Sequence, residues 1–197
     1  FSSFFGDIYF SRDSGLEEKR HVFLQGNHLS GRFASLATGA GDAFAIGETG
    51  FGTGLSFLCA WQLFHEIAPS RSSLDFFSVE KYPLDERELA DALALWPALQ
   101  QYADDLIARW PRRVPGWNRW SFADGRVRLT LAIGDVAETL PEIHNGIDAW
   151  FLDGFSPARN PEMWTQPVFE QVVHASRPRA TSAALSSKPA GILHVAT

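Results

Sequence analysis

The chain has 197 residues, of which 45% are hydrophobic, 20% charged and 13% aromatic, with one Cys, one Met and a formal net charge of −6. At this length one compact domain is the default, and the apolar fraction is enough for a real core. These figures exclude a disordered segment, a collagen-like repeat and a disulfide-stapled secreted scaffold, and no apolar run reaches the roughly eighteen residues of a membrane span.

Along the chain, Asp7 to Ser11 and Glu17 to Gln25 read as extended segments, with Ser14-Gly15 as a turn between them. Asp42 to Glu48 reads as a short buried strand that leads into a glycine loop. Gly54 to Ile67 carries Phe57, Leu58, Trp61 and Phe64 at helical spacing and predicts a buried helix. Leu74 to Val79 predicts a second strand ending at Glu80-Lys81. Leu84 to Trp110 is helical in pattern, broken at Trp96-Pro97. Trp120 to Phe122 and Arg126 to Ile133 flank Asp124-Gly125, a hairpin signal. Ala149 to Leu152 predicts another buried strand, and Asn160-Pro161 reads as the N-cap and first position of the next helix. Strands alternating with helices predict a mostly parallel α/β sheet covered on both faces.

The loop Glu48-Thr49-Gly50-Phe51-Gly52-Thr53-Gly54 follows a strand and opens a helix, the context in which a glycine pattern acquires chemical meaning. The dinucleotide spacing G-x-G-x-x-G fails, because counting from Gly50 its last position falls on Leu55, and no Lys is present for a phosphate-binding P-loop. The pattern E-x-G-x-G-x-G resembles motif I of Rossmann-like class I S-adenosylmethionine-dependent methyltransferases. Glu80, at the end of the second strand, is placed to accept hydrogen bonds from two ribose hydroxyls. Asp135 follows the third core strand and is a candidate acceptor for the adenine amino group. Glu48, Gly50, Phe51, Gly52 and Gly54, with Glu80, Lys81 and Asp135, are therefore the candidate donor-binding residues; no metal is expected.

Asp153 ends a buried strand in Asp153-Gly154-Phe155-Ser156-Pro157, a variant of the polar–Pro–aromatic loop with which amine methyltransferases of this fold grip the amine. Methyl transfer to nitrogen needs a neutral amine with its lone pair in line with the sulfonium, so positioning and proton removal dominate. Asp153 is the candidate catalytic residue, and Phe155 and Pro157 are candidate substrate contacts. The other reading of Asp153 is a turn-closing residue before Asn160.

The global charge is acidic, yet Arg109 to Arg128 holds Arg109, Arg112, Arg113, Arg119, Arg126 and Arg128 against the single acid Asp124. Trp110, Trp117, Trp120 and Phe122 are interleaved with them. Arg with aromatics is the composition that meets phosphates and unstacked bases, which marks Arg112, Arg113 and Arg119 as candidate RNA contacts. The plainer reading is a solvated hairpin whose Trp residues cover the core.

Several longer segments carry a family resemblance: Asp7 to Ser11, Gly15 to Glu18, His21 to Leu24, Gly47 to Leu55, Val79 to Leu84, Asp148 to Pro157 and Asn160 to Thr165. In unbroken order they resemble the methyltransferase domain of bifunctional tRNA 5-methylaminomethyl-2-thiouridine biosynthesis proteins. The resemblance implies the class I fold and S-adenosylmethionine as donor. It also implies methylation of the 5-aminomethyl group of (2-thio)uridine at the tRNA wobble position, with tRNA as partner and a cytoplasmic setting. In full-length relatives a FAD-dependent oxidoreductase domain follows; nothing in these residues resembles it, so such a partner is expected to be fused or separate. The alternatives are an inactive donor- or tRNA-binding module and a small-molecule amine N-methyltransferase.

Expected organisation is a small β extension over residues 1–40, a core over 41–178 and an atypical end over 179–197. After Pro178 the text departs from the family pattern, which predicts truncated or altered last strands and one unpaired sheet edge. Phe1 as first residue and Met163 as the only Met read as an internal piece of a longer product. Phe1 to Gly6 lacks the features of a signal peptide. Cys59, without an intrachain partner, fits a reducing compartment.

Overall fold

A computed structural model describes residues 14–37, 42–110, 114–144, 146–154, 160–184 and 193–194. In chain order the elements are α1 (Ser14–Lys19), a π-helical turn (Arg20–Gln25), α2 (Leu29–Ala34), β1 (Ala43–Glu48), α3 (Leu55–Ile67), β2 (Ser73–Glu80), α4 (Glu86–Leu93) and α5 (Gln100–Ile107). There follow β3 (Gly116–Phe122), β4 (Val127–Ile133), α6 (Val136–Thr139), β5 (Ile147–Leu152), α7 (Gln166–Ala175), β6 (Ser176–Ala184) and β7 (Leu193–His194). The strands form one sheet in the order β3-β4-β2-β1-β5-β6-β7. From β4 to β6 the pairs are parallel, and β3 and β7 close the two sides antiparallel.

The buried strand runs explain this architecture. The central strands β1 and β5 are buried on both faces over most of their length because helices cover both. On one face Phe44, Ile46, Phe76, Leu129 and Phe151 pack with α3, α5 and the N-terminal helices. On the other, Ala45, Val79, Ala132 and Trp150 pack with α6 and α7. Connections leave β1 toward β2 on one side, while β5 pairs on the other, so the chain reverses direction across the sheet at β1. Ligands of open α/β sheets bind outside the carboxyl ends of strands at such a switch point.

The N-terminal segment is helical where an extended reading was predicted. Val22 and Leu24 alternate like strand residues, but Leu16, Lys19 and Phe23 share a helical face, and the apolar stem of Lys19 completes the stripe. Asp7 to Ser11 lies outside the described residues. The sheet edge expected to stay unpaired is covered: β6 pairs parallel with β5 from Ala149↔Thr181 to Leu152↔Ala184, and β7 pairs with β6. Pro178 and Arg179 sit where the register shifts, a bulge that accommodates a residue without an N–H, and Arg179 takes φ 67°. Asn160 does not cap a helix through its side chain; Pro161–Trp164 forms a 3-10 turn, and α7 starts at Gln166. The Asp124-Gly125 hairpin forms as predicted, with the first strand extended back to Gly116 and the second starting at Val127. Among the described residues, no helix is long and apolar enough to cross a membrane.

Candidate functional site

The carboxyl ends of β1, β2, β4 and β5 surround a cleft of about 340 Å³. Its walls are Thr49 and Gly50 from the glycine loop, Val79 to Tyr82 at and just beyond the end of β2, Gly134 to Val136 after β4, Gly154, and Asn160 to Met163. Backbone bonds hold the loop against both neighbours: Thr49 N donates to Phe151 O at 3.2 Å and Phe51 N to Val79 O at 3.1 Å.

Two glycines are sterically required here. A Cβ on Gly50 would stand 3.0 Å from the Asp153 carbonyl oxygen. Gly54 caps α3 at φ +73°, and a Cβ there would meet the Phe51 ring at 2.7 Å. Phe51 itself is buried, stacked on Trp110 at 5.4 Å between centroids.

Glu80 joins loop to cleft. Its Oε2 accepts from Gly52 N and its Oε1 from Tyr82 N, both at 2.8 Å. Burial raises its pKa above the ordinary carboxylate value, and the backbone donors pull it back. Asp135 caps α6, accepting from Ala137 N at 2.9 Å, and pairs with Lys81 at 2.8 Å. That hydrogen bond lowers Asp135 and raises Lys81 from their ordinary values.

Of the predicted donor-binding residues, Gly50, Glu80, Lys81 and Asp135 line the cleft. Gly52 and Gly54 shape the loop behind it, and Phe51 supports it from the core. Glu48 is only 1% exposed and lies outside the lining; its Oε2 accepts from Ser78 Oγ at 2.7 Å, and its Oε1 has no hydrogen-bond partner among the described residues. Burial, then the charge of nearby Asp153, pushes the Glu48 carboxyl well above the usual range. Asp153 stands at the end of β5, its side chain 13% exposed and paired with Lys19. Thr49, Tyr82, Glu162 and Met163 lie within the segments that carry the resemblance but were not singled out as site residues, and Lys19 lies outside those segments. Phe155, Pro157, Arg112 and Arg113 lie outside the described residues.

The Arg/Trp stretch divides. Arg128 binds Asp75 through two bonds of 2.5 and 2.6 Å, Arg126 donates to the Pro69 and Ser72 carbonyls, and Arg109 pairs with Asp105. Trp110, Trp120 and Phe122 cover the core. Arg119, 65% exposed and 3.9 Å from Asp75, and Trp117, 40% exposed, face outward from β3.

A family model described as an S-adenosyl-L-methionine-dependent methyltransferase matches residues 97–193. The chain is 71% identical over 187 residues, 95% of its length, to the tRNA 5-methylaminomethyl-2-thiouridine biosynthesis bifunctional protein MnmC of Nitrosospira multiformis. The chain is therefore similar to S-adenosyl-L-methionine-dependent methyltransferases. The same bifunctional protein of Chromobacterium violaceum is 55% identical over 94% of the chain. The resemblance read from the sequence is thereby borne out. The chain spans only 30% and 28% of these two relatives. Its fold is similar to the crystal structure of MnmC2 from Aquifex aeolicus, at a TM-score of 0.73 and 23% identity, over 90% of this chain and 53% of that one.

The residues present fit the donor of this family. The cleft has the volume of a small-cofactor site, at the low end of about 300–1,000 Å³. Gly50 lines the cleft, and a Cβ there would crowd the Asp153 carbonyl oxygen at 3.0 Å. Each Glu80 oxygen holds one backbone donor, leaving acceptor capacity on both for a ribose diol.

Proposed function

We propose that this chain methylates the 5-aminomethyl group of (2-thio)uridine at the wobble position of tRNA, giving 5-methylaminomethyl-(2-thio)uridine. The observation that carries the reading is the 71% identity, over nearly the whole chain, to a bifunctional protein named for that nucleoside. A FAD-dependent oxidoreductase activity, fused or separate, would act beside this transfer step, in the cytoplasm.

The chain's residues divide the work along the cleft. Glu80 takes the ribose hydroxyls, and the Lys81–Asp135 pair with Tyr82 frames the adenine end. Gly50 and Gly154 bring main chain close at the other end, beside Asp153. When bound, S-adenosylmethionine supplies an electrophilic methyl group on a sulfonium. Asp153 Oδ1 accepts one bond, from Gly154 N at 2.9 Å, and keeps capacity for an amine N–H. Such a bond orients the amine lone pair and draws its proton away, which is where the gain in N-methylation arises. Arg119 and Trp117, with Arg112 and Arg113, are assigned to the tRNA.

The test is transfer of labelled methyl from S-adenosylmethionine to tRNA lacking this modification. Label recovered on the wobble nucleoside after digestion is the expected result. A chain that binds the donor yet labels no tRNA overturns the proposal, and labelling of free amines without tRNA points to a small-molecule methyltransferase.

A further inference from the structure

Lys19 closes α1 and is buried, its side chain 11% exposed. Lysine is rarely buried unless paired, and the partner here is the Asp153 carboxylate, 134 residues further along the chain. The same ammonium stands 5.1 Å from the Phe23 ring centroid. Asp153 is held from other sides too. Its Oδ2 lies 3.4 Å from Ser56 Oγ in the first turn of α3, and Thr49 Oγ1 donates to its carbonyl at 2.8 Å.

The chain commits much structure to bringing Lys19 there. A π-helical turn follows it at once, a rare geometry found disproportionately at functional sites. Asn27, fully buried, donates to the Trp150 carbonyl at 3.2 Å and accepts from Thr181 Oγ1 at 2.6 Å. Arg32 donates to the Asp148 carbonyl at 2.9 Å. These bonds dock the N-terminal helices on β5 and β6. A buried ion pair is weak support for stability compared with apolar packing of the same volume. What the pair does supply is one fixed orientation for the Asp153 carboxylate, next to the Gly154 stretch that lines the cleft.

We propose that Lys19 is a positioning residue for methyl transfer. It acts through Asp153, setting the carboxylate that receives the acceptor amine, and does not touch the donor. This rests on the functional reading above. Without the ammonium, Asp153 keeps only the weaker holds of Ser56 and Gly154 and faces the Glu48 carboxyl with no counter-charge, so the loss falls on the transfer step.

The full chain is compared with Lys19→Met, which keeps the stem, and Lys19→Arg, which keeps the charge. Single-turnover transfer to unmodified tRNA is measured beside calorimetric affinity for S-adenosylhomocysteine and the melting temperature. Lys19→Met is expected to slow transfer at least about tenfold, since small misplacements of reacting groups cost about that much or more. Affinity should stay within about threefold, and Lys19→Arg should recover most of the rate. An unchanged rate, a parallel loss of affinity, or no recovery by Arg overturns the inference. Should Lys19→Met not fold, Asp153→Asn is compared with the Asp153→Asn, Lys19→Met double variant. Equal rates are expected if Lys19 acts only through Asp153, and a further loss overturns it. An inactive parent chain overturns the functional reading, and this inference with it.

Discussion

Replacing Glu80 by Ala removes the side chain that joins the glycine loop, the end of β2 and the cleft. Its two oxygens each accept one backbone N–H at 2.8 Å, from Gly52 and Tyr82. A carboxylate offers about four acceptor sites, so two remain for the ribose hydroxyls of the donor. Hydrogen bonds to a charged group are worth about 1.5–3 kcal/mol each. Allowing for water that replaces part of this in the variant, a loss of about 2–4 kcal/mol is expected, or a Kd weaker by about 30- to 700-fold. The parent should also bind more weakly as pH falls. Protonation turns one acceptor oxygen into a donor, and burial sets the Glu80 pKa above the ordinary glutamate value. Calorimetric titration with S-adenosylhomocysteine at several pH values, with melting temperatures measured alongside, reads both effects. A Glu80→Ala affinity within about threefold of the parent, or a pH dependence of affinity identical in parent and Glu80→Ala, refutes the reasoning.

Glu48 gives a second pH effect. Its folded pKa is raised, so the stabilising neutral form is complete below the unfolded value of about 4.3 and is lost as pH rises through the folded one. Glu48→Gln keeps an oxygen for Ser78 and should flatten that fall of urea-unfolding free energy with rising pH; parallel curves for the two proteins would count against this account. Gly26 follows the π-helical turn, and a Cβ there would stand 2.2 Å from the Val22 carbonyl oxygen. Gly26→Ala should cost about 1–3 kcal/mol in chemical unfolding, and a normal midpoint would contradict the clash. Burial pushes the Cys59 thiol up to about 12, so iodoacetamide should label it only on unfolding; rapid native labelling would be inconsistent with its packing. Neutralising Arg112, Arg113 and Arg119 together should reduce the slope of tRNA affinity against log salt by up to about 2–3, and an unaltered slope returns β3 to a plain surface strand.

The strands that frame the cleft were legible because each is a short buried run with its chemistry at the carboxyl end: Glu48-Thr49, Glu80-Lys81, Gly134-Asp135 and Asp153-Gly154. The helix after the glycine loop and the break at Trp96-Pro97 were legible for the same reason, since their periodicity is strong. Lys19 was not, because a charged residue on a helical stripe looks like surface until its partner, far along the chain, is known. Strand β6 was obscured by small residues, Ala180 to Ala184, which pack closely without the bulk that marks a core strand. Glu48 shows the opposite error. The motif named it as a ligand contact, but only the fold reveals that it faces the interior behind Asp153.

Lys19 and Asp153 are 134 residues apart, and Asn27 and Thr181 are 154 apart. During synthesis the N-terminal helices, the glycine loop and Glu80 therefore emerge well before the strands that complete the cleft. Until β5 arrives, β1 keeps a free edge and Lys19 has no counter-charge. Long-range closure of this kind is slow and leaves apolar surface open meanwhile. The late strands thus work as a latch: the cleft is complete only once β5 has docked on β1 and Lys19 has met Asp153.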